Sequence, residues 1–377
     1  MINLFHDIAG SIENDFIKEW KNEEKKIIGY TCSYLPEEIL HAMEILPYRL
    51  RGNGAESTTI GDTYFGPFIC SFPKCLLQLA GEGKYGFLDG AVITNGCDSM
   101  RRLDECWRKA GDDIEQVIPS FFHYFGVPHK SKTYSVKWFV DEIEEMIAQL
   151  QSHFNVKLDE EKLAESIKLY NKTRMLLGKL EDIRVNKNIS LSGVDALAII
   201  LSAAAMPREK YNSLLEDTLE NLNEKESSTE NKKRLMLVGS ANDDIELVRL
   251  IEGESAHVVA DNLCFGPRQY EDMVDENESP LKALSERYLA SSECPRMFGD
   301  YKMRLKILED KIQKYSIDGV VLQNIRFCDL HGSENGLFES ALEKQGIPCL
   351  RLEREYGPLV ESGRVKMRVD AFMERLG

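Results

Sequence analysis

No apolar run in the chain approaches the roughly 20 residues that a membrane-spanning helix needs. The opening stretch, MINLFHDIAGSIENDF, has acidic residues and no basic segment ahead of an apolar core. It does not read as a secretory signal. A cytoplasmic location without membrane contact is the simplest expectation. A basic stripe is also missing: Lys and Arg are scattered, and 63 acidic against 47 basic side chains leave a net charge of −16. Such a surface repels phosphate backbones, which argues against a nucleic-acid partner. The phosphate-binding order G-x-x-x-x-G-K-[ST] is absent, as is G-x-G-x-x-G after a strand. The glycine-rich GEGKYGF (81–87) carries Lys84 without that order and reads as a surface turn between helix and strand. Any use of ATP or a nicotinamide therefore falls to another protein. Paired C-x2-C knuckles, short-period repeats, low-complexity tracts and a readable Ser-His-Asp arrangement are lacking too.

What is present suits a globular protein. A length of 377 residues fits two or three domains. With 43% hydrophobic and 29% charged residues, a sizeable core can form without covalent staples. KKIIGYTC (25–32), LDGAVIT (88–94) and FFHYFGVP (121–128) read as strands alternating with helices, including one from PEEILHAM. From about 133 to 225 apolar residues recur at helical spacing: Val140, Ile143, Ile147 and Leu150, then Leu163, Ile167, Tyr170 and Met175. The polar NEKESSTENKK (223–233) reads as a linker. Beyond it, RLMLVGS (234–240), AHVVADNL (256–263), DGVVLQNIR (318–326) and IPCLRLER (347–354) alternate with helices expected over 300–316, 334–345 and 362–376. The expected fold is α/β: two parallel-sheet, Rossmann- or flavodoxin-like domains, 1–132 and 233–377, joined by a helical bridging region, 133–232.

Nine cysteines in such a chain read as thiols or metal ligands rather than disulfides. Six form two sets of three: Cys70, Cys75 and Cys97, then Cys264, Cys294 and Cys328. Cys97, Cys264 and Cys328 each follow an expected strand, where open parallel sheets build their sites. Cys70, Cys75 and Cys294 fall on loops or helix starts, near Pro67, Pro73 and Pro295. Cys32, Cys106 and Cys349 read as small buried hydrophobes. Thiolates suit zinc and iron–sulfur clusters alike. Ligands scattered from residue 70 to residue 328, on several loops, favour a cluster in the cleft between the two halves.

Other candidates surround these thiols. His331 and Glu334 follow Cys328 in FCDLHGSENG and would share its loop, where they could move protons. Arg268 and Arg296 could balance the charge of a thiolate cluster or hold an anionic substrate. Glu37 and Glu38 open a helix, where carboxylates suit the positive dipole end.

The chain resembles the 2-hydroxyacyl-CoA dehydratase / benzoyl-CoA reductase family of iron–sulfur proteins. The resemblance is carried by YLPEEIL, CS…C before GKYGFLDGAVITNGCDSMRRL, VVADNLCFGPR, DGVVLQNIRFCDLHGSENGLFESALEKQGIPCLRLEREY and RVKMRVDAFMERL, and covers nearly the whole chain. It implies two α/β domains, ligands at Cys70, Cys97 and Cys328, and electrons received from a separate ATP-hydrolysing iron–sulfur activator. The extra thiols at Cys75, Cys264 and Cys294 resemble the double-cubane branch, implying an [8Fe–9S] cluster on six thiolates in a homodimeric reductase of a small substrate. The alternatives are a dehydratase subunit with one [4Fe–4S] cluster, a non-catalytic electron carrier and a structural zinc protein.

Overall fold

The computed structural model describes residues 1–186, 191–223, 232–290, 293–357 and 362–377. Helices α1 (Ile2–Gly10) and α2 (Asp15–Asn22) lead into β1 (Ile27–Tyr30), α3 (Glu37–Ala42) and β2 (Leu46–Arg49). Then come α4 (Thr59–Tyr64), α5 (Ser71–Gly81), β3 (Gly90–Thr94), α6 (Asp98–Asp113) and β4 (Phe121–Phe125). The bridge is α7 (Thr133–Phe154), α8 (Glu160–Val185), α9 (Gly193–Ser202) and α10 (Arg208–Asn223). The rest alternates again. It runs β5 (Lys233–Gly239), α11 (Ile245–Glu252), β6 (Ala256–Asn262), a 3-10 turn at Pro267–Gln269, α12 (Pro280–Ala290) and α13 (Tyr301–Lys314). It ends with β7 (Gly319–Ile325), α14 (Asp329–Glu343), β8 (Cys349–Arg354) and α15 (Ser362–Leu376). Of the expected linker, residues 224–231 lie outside the described residues.

The strands form two four-stranded sheets, ordered β2-β1-β3-β4 and β6-β5-β7-β8. Every pairing is parallel. The α/β class with two parallel sheets is therefore as expected. The two sheets share one topology, the first strand pairing outward before the chain crosses to its other side. The central strands are continuous apolar runs because helices cover both faces: β1 and β3 are buried throughout. At the edge, β8 alternates buried and exposed residues towards its end. The strand reading missed β2. Its four residues contain Pro47, which lacks a ladder donor and is tolerated here because β2 is an edge strand. At the end of β5, Gly239 has φ +144°, and a Cβ there would stand 1.7 Å from the Gln323 carbonyl oxygen. Only glycine lets β5 turn off so close to β7.

The bridge welds the halves together. Among the residues of α9 only Asp195 is not buried. Burial of Leu197, Ile199, Ile200 and Leu201 is worth roughly 6–12 kcal/mol before entropy is charged. That holds in place a ten-residue helix too short to be stable alone. One core cluster runs from Ile27 and Ala91 of the first sheet through α9 to Leu235 and Val321 of the second. The chain crosses over as well. Val274, Leu284, Tyr288 and Met297 come from the last third yet pack with Ile28, Val92 and Phe139 on the first sheet's outer face.

Glu37 and Glu38 do more than face a helix dipole. Both are buried. Glu38 takes Arg174 at 2.5 Å and the Tyr288 hydroxyl at 2.8 Å. Glu37 takes Arg208, the Tyr30 hydroxyl and Gln269. Buried carboxylates need such partners, and these tie α3 to α8, α10 and α12. Burial works against ionisation of Glu38, but Arg174 and then Arg287 hold its pKa below the ordinary carboxylate value.

Candidate metal centre

Between β1 and β3, and again between β5 and β7, the chain reverses the direction in which it adds strands. Loops beyond the carboxyl ends of strands leave a crevice at such a switch point. Cys32 lies just past β1, Cys97 past β3 and Cys328 past β7. Cys97 and Cys328 thus hold equivalent places in the two sheets. Cys264 follows β6, beside them.

Cys70, Cys97 and Cys328 share a local design. Each is the N-cap residue of a helix, α5, α6 and α14 respectively. Helix N-termini present unpaired N–H groups and partial positive charge, which favour a thiolate. Burial is nonetheless the largest influence and pushes all three thiols up, Cys328 to about 12 and Cys97 well above the ordinary thiol value. The neighbouring Cys70 sulfur adds to the lift at Cys97 and at Cys328. The amides of Phe72, Met100 and His331 oppose it at Cys70, Cys97 and Cys328, although none makes a cap hydrogen bond of full geometry. Neighbouring buried sulfurs oppose one another's ionisation, and bound positive charge would relieve that opposition. Before Cys328, Phe327 has φ +64°, a left-handed conformation that a bulky residue rarely adopts. Its ring meets Phe68 edge-on, centroids 5.6 Å apart, so an aromatic pair from the two halves lies beside Cys70 and Cys328.

Arginines fasten Cys264 and Cys294 onto the first sheet. Arg49, ending β2, donates to the Cys264 carbonyl and to Gln269, and its guanidinium lies 3.8 Å from the centre of the Phe265 ring. Arg296 donates through Nε to the Gly96 carbonyl at 2.5 Å. Its Nη1 reaches Pro128 O at 2.7 Å, and Nη2 reaches Asn95 O and Val127 O at 2.9 Å. It is fully engaged by backbone and positions the Cys294 loop. Arg268 differs. Its Nη1 donates to Glu293 O at 3.1 Å, while its buried Nη2 has no hydrogen-bond partner among the described residues. Burial disfavours its charge, but the Cys294 and then the Cys264 sulfur overcome this and raise its pKa.

The remaining expected site residues fall as follows. His331 and Glu334 do not share a loop with Cys328, because α14 starts at Asp329, with Cys328 as its cap and an acidic first turn. Glu334 forms a two-pronged ion pair with Arg304, at 2.9 Å and 3.2 Å through Nε. Burial, then Arg268 and Arg304, depress the His331 pKa to about 3, so its imidazole is neutral at pH 7. Cys75 lies inside α5, buried, with Sγ 3.8 Å from Tyr356 O. Burial and then Asp243 push its thiol up to about 12. Cys106 donates to Tyr64 O at 3.4 Å and Cys349 to Ile347 O at 3.6 Å. Cys32, read in the sequence as a strand-end hydrophobe, joins the candidate thiols by position, past β1. Its sulfur is 3.2 Å from where a Cβ of Gly96 would be. Its place past β1, next to β3, was the signal that could have found it. Among the described residues, no three His, Cys, Asp or Glu side chains converge on a single-ion position.

The sequence profile of the 2-hydroxyglutaryl-CoA dehydratase D-component family matches residues 32–376. The chain is 24% identical over 375 residues to the (R)-phenyllactyl-CoA dehydratase beta subunit of Clostridium sporogenes, covering 99% of this chain and 98% of that one. It is 25% identical over 342 residues to a benzoyl-CoA reductase subunit of Thauera aromatica, covering 88% and 87%. It is 23% identical over 378 residues to the lactoyl-CoA dehydratase subunit beta of Anaerotignum propionicum, covering 100% and 98%. With the profile matched over almost its whole length, and with the two parallel sheets in place, the chain belongs to the 2-hydroxyacyl-CoA dehydratase / benzoyl-CoA reductase family.

Proposed function

We propose that this chain is an iron–sulfur reductase whose thiols hold a double-cubane [8Fe–9S] cluster in the crevice between the two sheets. A separate ATP-hydrolysing activator would reduce it, and it would pass low-potential electrons to a small substrate. The observation that carries this reading is that thiols of the two halves are neighbours: Cys328, past β7, has Cys70 of the first half and Cys264 and Cys294 of its own half close enough to influence it, and Cys97, past β3, has Cys70 and Cys328. A soft, all-sulfur donor set suits iron–sulfur ligation. The buried, unpartnered Nη2 of Arg268 beside Cys294 and Cys264 fits an anionic, sulfur-rich group as well.

When bound, the cluster would supply the stored electrons. The chain's own residues do the rest. The partly buried loops limit the access of water to the thiolates, and the N-termini of α5, α6 and α14 favour their charged form. Arg49 and Arg268 bring buried positive charge, which with hydrogen bonding and burial tunes the potential of such a group. His331, neutral at pH 7, adds no further charge. The division into 1–132, 133–232 and 233–377 remains our domain proposal, and a homodimer our proposed assembly, to be checked by sedimentation.

Iron and acid-labile sulfide counting with EPR on protein purified without oxygen tests the function. About eight irons per chain is the expected result, and about four or none would sink the double-cubane reading. The second reading is a dehydratase subunit with one [4Fe–4S] cluster. It is favoured by the end-to-end match to two dehydratase beta subunits. It predicts about four irons and copurification with a non-identical subunit.

A further inference from the structure

Resting on the homodimer proposed above, we infer that the outward face of α7 is the surface through which two copies of this chain associate, helix against antiparallel helix across a two-fold axis.

The order of charge along this segment is uneven. From Phe121 to Val140 there is no Asp or Glu, while Lys130, Lys132 and Lys137 are present. Asp141, Glu142, Glu144 and Glu145 follow at once. The helix buries Phe139, Ile143, Met146 and Leu150 on one side. At 3.6 residues per turn, Tyr134, Trp138, Asp141, Glu145 and Ala148 form a stripe on the opposite side, and all five are exposed. Their steps of four, three, four and three residues are those of a helix–helix seam. Tyr134 is 67% and Trp138 44% exposed, although aromatic rings gain much from being covered.

The apolar surface continues beyond the helix. Met303, 45% exposed, lines a cavity of about 630 Å³ together with Lys137 and Val140. Phe298, 73% exposed, lies by the start of α7, where its N–H donates to His129 O at 2.9 Å and Lys130 Nζ stands 5.4 Å from its ring centre. A stable dimer buries about 1,200–2,000 Å² in total, and these residues widen the face towards that size.

Charge selects the occupant. With a net charge of −16, two copies repel at a distance. Contact is favourable only where unlike charges meet. Other exposed helices pair theirs internally, as Lys109 does with Asp112 and Lys306 with Asp310. Among the described residues, Lys130, Lys132, Lys137, Asp141, Glu144 and Glu145 make no ion pair. A second α7 laid antiparallel, with the two-fold axis level with Val140, matches them in one register. Lys137 then faces Glu144 of the partner subunit, and the contact occurs twice. The same register sets the Trp138 indole N–H against Asp141 of the partner subunit and the Tyr134 hydroxyl against Glu145 of the partner subunit. Glu142 stays out of it, because its carboxylate already accepts from Gly126 N at 3.0 Å. The face complements its own reverse, which a second copy supplies, and such an isologous contact closes the assembly at two.

The test is sedimentation velocity over a concentration series on full-length protein purified without oxygen, with far-UV circular dichroism as the fold control. Wild type should be a dimer. Lys137→Glu and Glu144→Lys each set like charges together twice per dimer and should weaken association at least about tenfold. Both substitutions in one chain restore unlike pairs and should return the dissociation constant to within about threefold of wild type. Trp138→Ala, which changes no charge, should also weaken association, and it keeps the test alive if a charge variant folds poorly. A dimeric wild type with an unmoved dissociation constant in all three single variants overturns the α7 interface and leaves the homodimer standing. A double variant no tighter than the single ones overturns the register. A monomeric wild type is a separate result, sinking the homodimer proposal itself and this contact with it.

Discussion

Replacing Arg296 by Ala should both loosen the fold and displace Cys294. The side chain is 3% exposed and bonds four carbonyls, those of Asn95, Gly96, Val127 and Pro128. These belong to the loops after β3 and β4, so one guanidinium holds the 294–298 loop across the crevice. A hydrogen bond from a charged donor contributes about 1.5–3 kcal/mol, and an orphaned buried acceptor costs about 1–3 kcal/mol. Four such bonds, less the cost of burying a guanidinium without a carboxylate and with water partly filling the gap, leave an expected loss of about 3 kcal/mol or more. At an m of about 3 kcal/mol/M, that lowers the urea midpoint by about 1 M. Arg296→Lys should recover little, because one ammonium cannot match a planar fork aimed at two loops. Urea unfolding followed by circular dichroism reads the effect, with and without metal loading. A midpoint for Arg296→Ala within about 0.2 M of wild type would refute the clamp.

Three further outcomes follow from buried groups. Glu38→Gln leaves Arg174 without its counter-ion and should cost about 3–5 kcal/mol at pH 7. Because the folded pKa of Glu38 is depressed, its contribution is present above the unfolded carboxylate pKa and lost as pH falls through the folded one. The gap between variant and wild type in denaturant midpoint should therefore narrow in acid. His331 has a folded pKa of about 3, so the unfolded chain takes up that proton first as pH falls. Wild-type stability should then drop by up to about 1.4 kcal/mol per pH unit below about pH 6.5. His331→Gln should make that acid decline shallower, and an unchanged slope would show that the imidazole is not held neutral. Gly239→Ala puts a methyl group 1.7 Å from the Gln323 oxygen at φ +144°. Thermal unfolding should show a loss of several kcal/mol, on the scale of severe backbone strain, and a near-native melt would contradict the close approach.

Local pattern carried most of the framework. Apolar runs ending in polar loops marked seven of the eight strands among the described residues, because buried parallel strands need continuous apolar sequence. The eighth, β2, hid behind Pro47, whose strand role depends on being at an edge, a property of the sheet rather than of the segment. The start of α14 was placed too late because Gly332 and Gly336 weaken the helical pattern. This is why His331 and Glu334 looked like loop residues.

For the candidate site, residue type and expected strand ends placed Cys97, Cys264 and Cys328 past β3, β6 and β7, since position along a strand follows from neighbours along the chain. The partners of each thiol do not. The sequence reading counts Cys75 among the ligands and Cys32 among the buried hydrophobes, whereas packing puts Cys75 inside α5 against Tyr356 and Cys32 beside Gly96. Arg49 holds the Cys264 carbonyl and Arg296 anchors the Cys294 loop to Gly96 over separations of some two hundred residues, while the Cys75 sulfur packs against Tyr356 O. Thiol number, donor softness and fold class were properties of the chain. Which thiols share a neighbourhood was decided by how two similar sheets face each other, because contacts between them are made by residues that nothing in local sequence connects.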